Sequence, residues 1–132
     1  MELLQALRLH LLASPAIAQL VGDRVGPGRL ADNTLYPAIA LYRISTPRRV
    51  HMTGVSGLVG PRIQISCFAQ RQDKADELGR EVTAALAGFR GLMAGVVPVD
   101  GALPEDDRDG VEPNPDVYSR LLDFFIWHRE AA

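Results

Sequence analysis

Three histidines, one cysteine, a run of acids and a pair of adjacent arginines are the residues here with chemistry to offer. His10, His51 and His128 lie far apart, in a helix pattern, a loop pattern and a strand pattern. No His-Glu-x-x-His motif and no paired Cys/His spacing joins them, so a zinc-type site has no signature. Each reads as a structural histidine. Cys67 falls on the inward parity of a strand. A catalytic thiolate needs an accessible, electropositive setting and a base, whereas a buried cysteine packs as a small hydrophobe.

Glu105, Asp106, Asp107 and Asp109 invite comparison with a calcium loop. They lack its alternating ligands and its distal bidentate glutamate, so a solvated turn is the simpler reading. Gly54, Gly57 and Gly60 make no phosphate loop, because no glycine-rich fingerprint follows a strand and opens a helix. Arg48 and Arg49 could touch phosphate, but without interleaved aromatics they point rather to a protein contact. Nowhere do a nucleophile, a base and an oxyanion donor come together. No cofactor and no metal is implied, and an enzyme is the poorer reading. A small hydrolase or nuclease would need a pocket where the scattered histidines and acids converge.

The elements that position these residues follow from periodicity. Leu3, Leu4, Leu7 and Leu11 recur at helical spacing and predict a helix over about 2–13. Ser14-Pro15 reads as a cap and first helical turn, with a short helix over 15–21 ended by Gly22. Val25 belongs to a short strand or extended segment. Period-two alternation predicts strands over about 37–46 and through "RIQISCFA", where Ile63, Ile65 and Cys67 face the core. Between them, "STPRRVHMTGVSGLVG" reads as a long loop or extended hairpin. Residues 73–89 carry an apolar stripe of Ala75, Leu78, Val82, Ala85, Leu86 and Phe89. Gly79 lies on that stripe, where it suits close packing onto a sheet. Residues 93–102 read as a third strand, with Pro98 favouring an edge. An acidic turn, "PEDDRDGVEPNPD", then leads to a last strand over 117–129. The expectation is one α+β domain over 1–132, a four-stranded, mostly antiparallel sheet flanked by helices in the order α-α-β-β-α-β-β.

Composition narrows the function classes. The chain has 132 residues, 47% hydrophobic and 23% charged, with a net charge of -2. That argues against gross disorder and against a strongly basic nucleic-acid binder. A single cysteine allows no intrachain disulfide. Glu2, Arg8 and His10 interrupt the leading leucines, which argues against a signal peptide. No run reaches the ~20 apolar residues of a membrane span. A soluble protein is expected.

Charge is nevertheless uneven. From Asn33 to Gln72 there is no acid but there are Arg43, Arg48, Arg49, Arg62 and Arg71. From Gly91 to Val117 seven acids face Arg108 alone. These are either two solvated loops of opposite sign or two patches that meet between neighbouring copies. The last strand raises a related question. Leu122, Phe124 and Ile126 alternate with Leu121, Phe125 and Trp127, so both its faces are apolar.

The order of these segments resembles the tail-completion, or tail-terminator, family of long-tailed phages, prophages and gene transfer agents. The resemblance is carried by the N-terminal leucine helix, "LVGDRV", "YPAIALYRIS", "GLVGPRIQISCFAQ", "ADELGREVTAALAGF" and the terminal "LDFFIWHRE". It implies a structural virion protein, assembled in the host cytoplasm, that caps the head-proximal end of a tail tube and ends its polymerisation. It implies a homo-oligomer, usually a hexameric ring, with the tail tube protein and a head–tail connector or stopper as partners. DNA would pass through the ring without sequence-specific binding, and no membrane is involved. The 48–58 segment resembles the family's inter-strand loop. The residues expected at contacts with sister copies or partners are Arg48, Arg49, His51, Met52, Leu58, Asp106, Asp107, Asp109, Phe125 and Trp127. The alternatives are a monomeric binding module, or an assembly chaperone absent from finished particles.

Overall fold

A computed structural model describes residues 2–31, 34–46 and 58–129. Helix α1, Leu3–Leu12, buries Leu3, Ala6, Leu7 and Leu11, one stripe at three- and four-residue spacing. Helix α2, Pro15–Val21, has proline in its first turn and stops at Gly22, whose φ of 64° favours glycine. Helix α3, Gln72–Leu86, buries Ala75, Leu78, Gly79, Val82 and Leu86. Beyond it, the Gly88 N–H donates to the Ala102 carbonyl at 2.8 Å and ties the helix exit to the sheet. No single helix among the described residues is long and apolar enough to cross a membrane.

The strands are β1 (Val25–Pro27), β2 (Ala38–Ser45), β3 (Leu58–Val59), β4 (Arg62–Ala69), β5 (Gly91–Met93), β6 (Val97–Asp109) and β7 (Tyr118–Arg129). They form one seven-stranded sheet in the order β1-β2-β4-β7-β6-β5, with β3 also pairing β7. β1 lies parallel to β2, and the other pairs are antiparallel.

This corrects the four-stranded sheet and the α-α-β-β-α-β-β order expected above. The described elements run α-α-β-β-β-β-α-β-β-β, and the sheet is mixed. Besides the short β3, which pairs with the end of β7 at Arg129 and His128, three causes account for the difference. Val25–Pro27 is long enough to add a parallel edge to β2 at Ile39–Leu41. The expected third strand is a hairpin, because Ala94 (φ 53°) and Gly95 (φ 72°) turn the chain between β5 and β6. Most consequentially, the acidic segment through Asp109 is strand rather than turn, held against β7 by cross-strand ion pairs.

Alternation along the strands separates two faces. One carries Ile39 and Leu41 of β2, Ile63, Ile65 and Cys67 of β4, and Leu122, Phe124 and Ile126 of β7. The helices cover this face, and these residues share one core with Leu7, Leu11, Ile17, Leu78, Val82 and Leu86. At the foot of the same face, Arg120 locks α3 onto the β6–β7 hairpin. Its Nε and Nη2 donate to the Asp107 carboxylate at 2.6 and 2.8 Å, and its Nη1 donates to Asp76 of α3 at 3.0 Å. Gly79 faces Arg120 at this contact, where a larger residue would have to push the arginine stem aside by a few tenths of an ångström. A Cβ there would stand 3.1 Å from Arg120 Cγ.

Hydrogen bonds from Gln72 and then from Arg120 hold the Asp76 carboxyl below its ordinary range. Arg120's hydrogen bond does the same for Asp107. A carboxyl with a depressed folded pKa stabilises the fold above its unfolded pKa of about 4, and that contribution disappears as pH falls through the lower folded value. Arg120→Met should therefore lower stability in urea at pH 7, while the gap from the parent protein narrows steadily below about pH 4. Equal gaps at pH 7 and pH 3 would show that the carboxylate pairs of Arg120 do not carry its contribution.

Candidate functional site

The other face of the sheet is not covered by the helices. Register places Tyr42 beside Gln64, Gln64 beside Asp123, and Asp123 beside Asp106. One step along, Arg62 stands between Ser45 and Phe125, and Phe125 lies beside Leu103. Tyr42, Phe68, Leu121, Phe125 and Trp127 are all partly exposed here and lie outside the core. Leu103 is 51% exposed. The alternation in β7 that gives the core Leu122, Phe124 and Ile126 thus leaves a second apolar row on the open side.

A polar network crosses the middle of this face. Arg62 donates through Nε and Nη2 to Asp123 Oδ2 at 3.0 and 2.8 Å. Arg108 approaches the same oxygen at 3.2 Å and also bonds Asp106 and Gln64. Asp123 is 3% exposed, and its Oδ1 has no hydrogen-bond partner among the described residues. Two guanidinium groups on one oxygen keep this buried carboxylate tolerable. Arg62 also lies 5.8 Å from the Phe125 ring centre, joining the network to the aromatic row.

Gly60 seats Trp127. A Cβ on Gly60 would fall 2.5–2.7 Å from three atoms of the indole, so only glycine lets the ring lie flat against the backbone there. The carbonyl of Pro61 accepts from Ile126 N–H at 3.1 Å, which continues the pairing between β3 and β4 along β7.

The expected contact residues divide among several places. Asp106, Phe125 and Trp127 share the open face. Asp107 sits on the helix side, held by Arg120. Asp109 ends β6, where Gln72 donates to it at 3.4 Å. Leu58 lies in β3 opposite Arg129. Arg48, Arg49, His51 and Met52 lie outside the described residues. Much of the acidic run is therefore paired within the chain, and of its four carboxylates Glu105 has no partner among the described residues. Reading by patches missed the Arg62–Asp123–Arg108 network. Its trace in the sequence is one acid set inside an apolar strand, "LLDFFIW".

The remaining reactive groups serve structure. His10 Nε2 is 2.8 Å from the Ala85 carbonyl, with its ring 4.4 Å from that of Phe89, so it joins α1 to α3. His128 Nδ1 is 3.2 Å from the Ile126 carbonyl. Burial pushes the Cys67 thiol up to about 12, which keeps it protonated. Among the described residues, no three His, Cys, Asp or Glu are placed to hold a metal.

The model of the tail completion protein gp17 family matches residues 5–129. The chain belongs to that family. Membership makes it a structural protein of a phage-type tail, located in the virion or phage-like particle. Among solved structures it resembles a chain from the virion of a native gene transfer agent particle, with a TM-score of 0.74 and 17% identity. The match covers 97% of this chain and 95% of that one, and at this identity it speaks for the fold. Comparison with curated proteins gives no significant match. For this tail completion protein the uncovered face and the strand edges beside it become the surfaces of interest.

Trp127 is the sole tryptophan, so its seat can be read directly. Gly60→Ala should force the indole off the backbone, red-shift its emission and cost about 1–3 kcal/mol in urea unfolding. An unchanged emission maximum would mean that the ring does not rest on Gly60.

Proposed function

We propose that this tail completion protein acts as one subunit of a ring, hexameric by family resemblance, that caps the head-proximal end of a tail tube. The ring stops tube polymerisation and presents a second surface to a head connector or stopper. DNA passes through its centre without sequence-specific contact, and carboxylates lining such a channel would keep it from sticking. The chain performs no catalysis in this reading. His10, His128 and Cys67 are occupied in packing, and the chain's chemistry lies in its surfaces.

The observation that carries the proposal is the second apolar row of β7. Phe125 and Trp127, with Leu103 beside them, form a partly exposed apolar strip on a strand whose other face is fully used. Contiguous apolar surface of this kind marks protein contacts. In a ring each subunit can offer two different surfaces, each meeting the other on its neighbour.

Deleting the gene from its parent element should give tails of uncontrolled length that fail to join heads. Tails of normal length that still join heads would refute the capping role, and absence of the chain from finished particles would favour an assembly chaperone. Replacing Phe125 and Trp127 with serine should weaken incorporation into particles by far more than it lowers the monomer's melting temperature. Simple unfolding of the monomer would instead place that row in the subunit's own core.

A further inference from the structure

Resting on the ring reading above, we infer that neighbouring subunits join by strand pairing. The outer edge of β2 at Tyr42–Ser45 in one copy adds to the outer edge of β6 at Leu103–Asp107 in the next.

Among the described residues the sheet is open, and its short outer strands leave stretches of β2 and β6 without a neighbour. β1 covers β2 only from Ile39 to Leu41, after which the Gly28 N–H to Leu41 carbonyl bond of 2.8 Å closes the contact. β5 covers β6 only from Val97 to Val99. Among the described residues, no strand pairs with the outer edges of Tyr42–Ser45 or Leu103–Asp109. Free edges are templates for another strand, and on β6 Pro104 and the bulge between Pro104 and Asp106 restrict that pairing to a few backbone groups.

The two edges match in height. Following register across the sheet, Arg43 leads through Ile63 and Phe124 to Pro104, and Ser45 leads through Arg62 and Phe125 to Leu103. Tyr42 leads in the same way to Asp106. Two edges at one level can pair around a circle without a step along the axis, which is the condition for closure rather than a filament. β2 and β6 run in opposite directions, so rotation about an axis along the strands gives an antiparallel pair.

Side chains agree with this pairing. Arg43 is exposed on the helix side of the sheet and has no ion-pair partner among the described residues. At the level it would meet, a cleft opens between α3 and the edge of β6. Thr83, Pro104, Glu105 and Asp107 form its rim, with Leu122 and Phe124 beneath. A neighbour's Arg43 would lay its stem over the apolar floor and its guanidinium beside Glu105. Ile44 and Leu103, exposed by 50% and 51%, would meet at the same seam. The acidic edge also discriminates. Two β6 edges repel each other, so a two-fold dimer through this edge is disfavoured and a basic edge is accepted.

Ile44→Cys/Leu103→Cys tests the seam in purified particles. Treatment with a short bis-maleimide should give a ladder of covalent multimers of this chain on a denaturing gel. Wild-type particles and either single variant should give none, because Cys67 is fully buried. Particles holding several copies that do not cross-link would overturn the strand pairing and leave the ring standing. Particles holding one copy would overturn both. Should the double-cysteine chain fail to enter particles, charge reversal decides. Arg43→Glu and Glu105→Arg should each reduce incorporation about threefold or more, and the double variant should recover it. No recovery would overturn the pairing.

Discussion

β7 sits in the middle of the sheet with large side chains on both faces, and the helices can cover only one of them. Leu122, Phe124 and Ile126 meet α1, α2 and α3 in a closed core. Leu121, Phe125 and Trp127 point the other way, where the described chain supplies only neighbouring strands, Gly60 and the Arg62 guanidinium. The second row is only partly covered by the subunit itself, and in the proposed ring a neighbour would complete that cover.

Electrostatics is arranged around the same strand. Each acid that a patch reading would assign to a partner has first to satisfy its own chain. Asp107 is taken by Arg120 and Asp106 by Arg108. Because these carboxylates sit at the border of β6 and β7, they turn an apparent loop into a strand, and the β6 edge exists because of them. What remains for a partner is a residue, Glu105, rather than a run. Net charge and charge blocks describe a surface before folding distributes it; cross-strand pairing decides what is left.

Several features were legible in the residues. The helical stripes, the parity of Ile63, Ile65 and Cys67, the close-packing role of Gly79 and the two-faced last strand all follow from period and residue size. Less legible were the features that depend on distant partners. Val25–Pro27 becomes a strand only because β2 lies beside it. The β5–β6 turn uses Ala94 at positive φ, which residue type does not announce. "PEDDRDG" carries turn and loop residues by composition, and its strand is held by pairs with distant residues, Asp107 with Arg120 and Arg108 with Asp123. Asp123 could have been noticed as an acid among apolar neighbours. Its partners, Arg62 and Arg108, come from two other strands and could not.

The open face is not uniform, and that constrains how anything can cover it. Around Phe125, Trp127 and Leu103 it is apolar, and a partner there gains by excluding water. Around Asp123 it is ionic: two arginines share one carboxylate oxygen, and both keep substantial exposure, with side chains 32% and 40% accessible for Arg62 and Arg108. Sealing them under apolar surface would strip the water that now solvates their free N–H groups, a cost of several kcal/mol per ion unless new acceptors replace it. A partner that lies over the whole face must therefore bring carbonyls or carboxylates to the centre or leave it wet. A partner that stops at the rim avoids the cost. The aromatic row lies toward the Arg129 end of β7 and the ionic cluster nearer its middle. Contacts built from the aromatic end would thus use the surface that is cheap to dehydrate and spare the arginines.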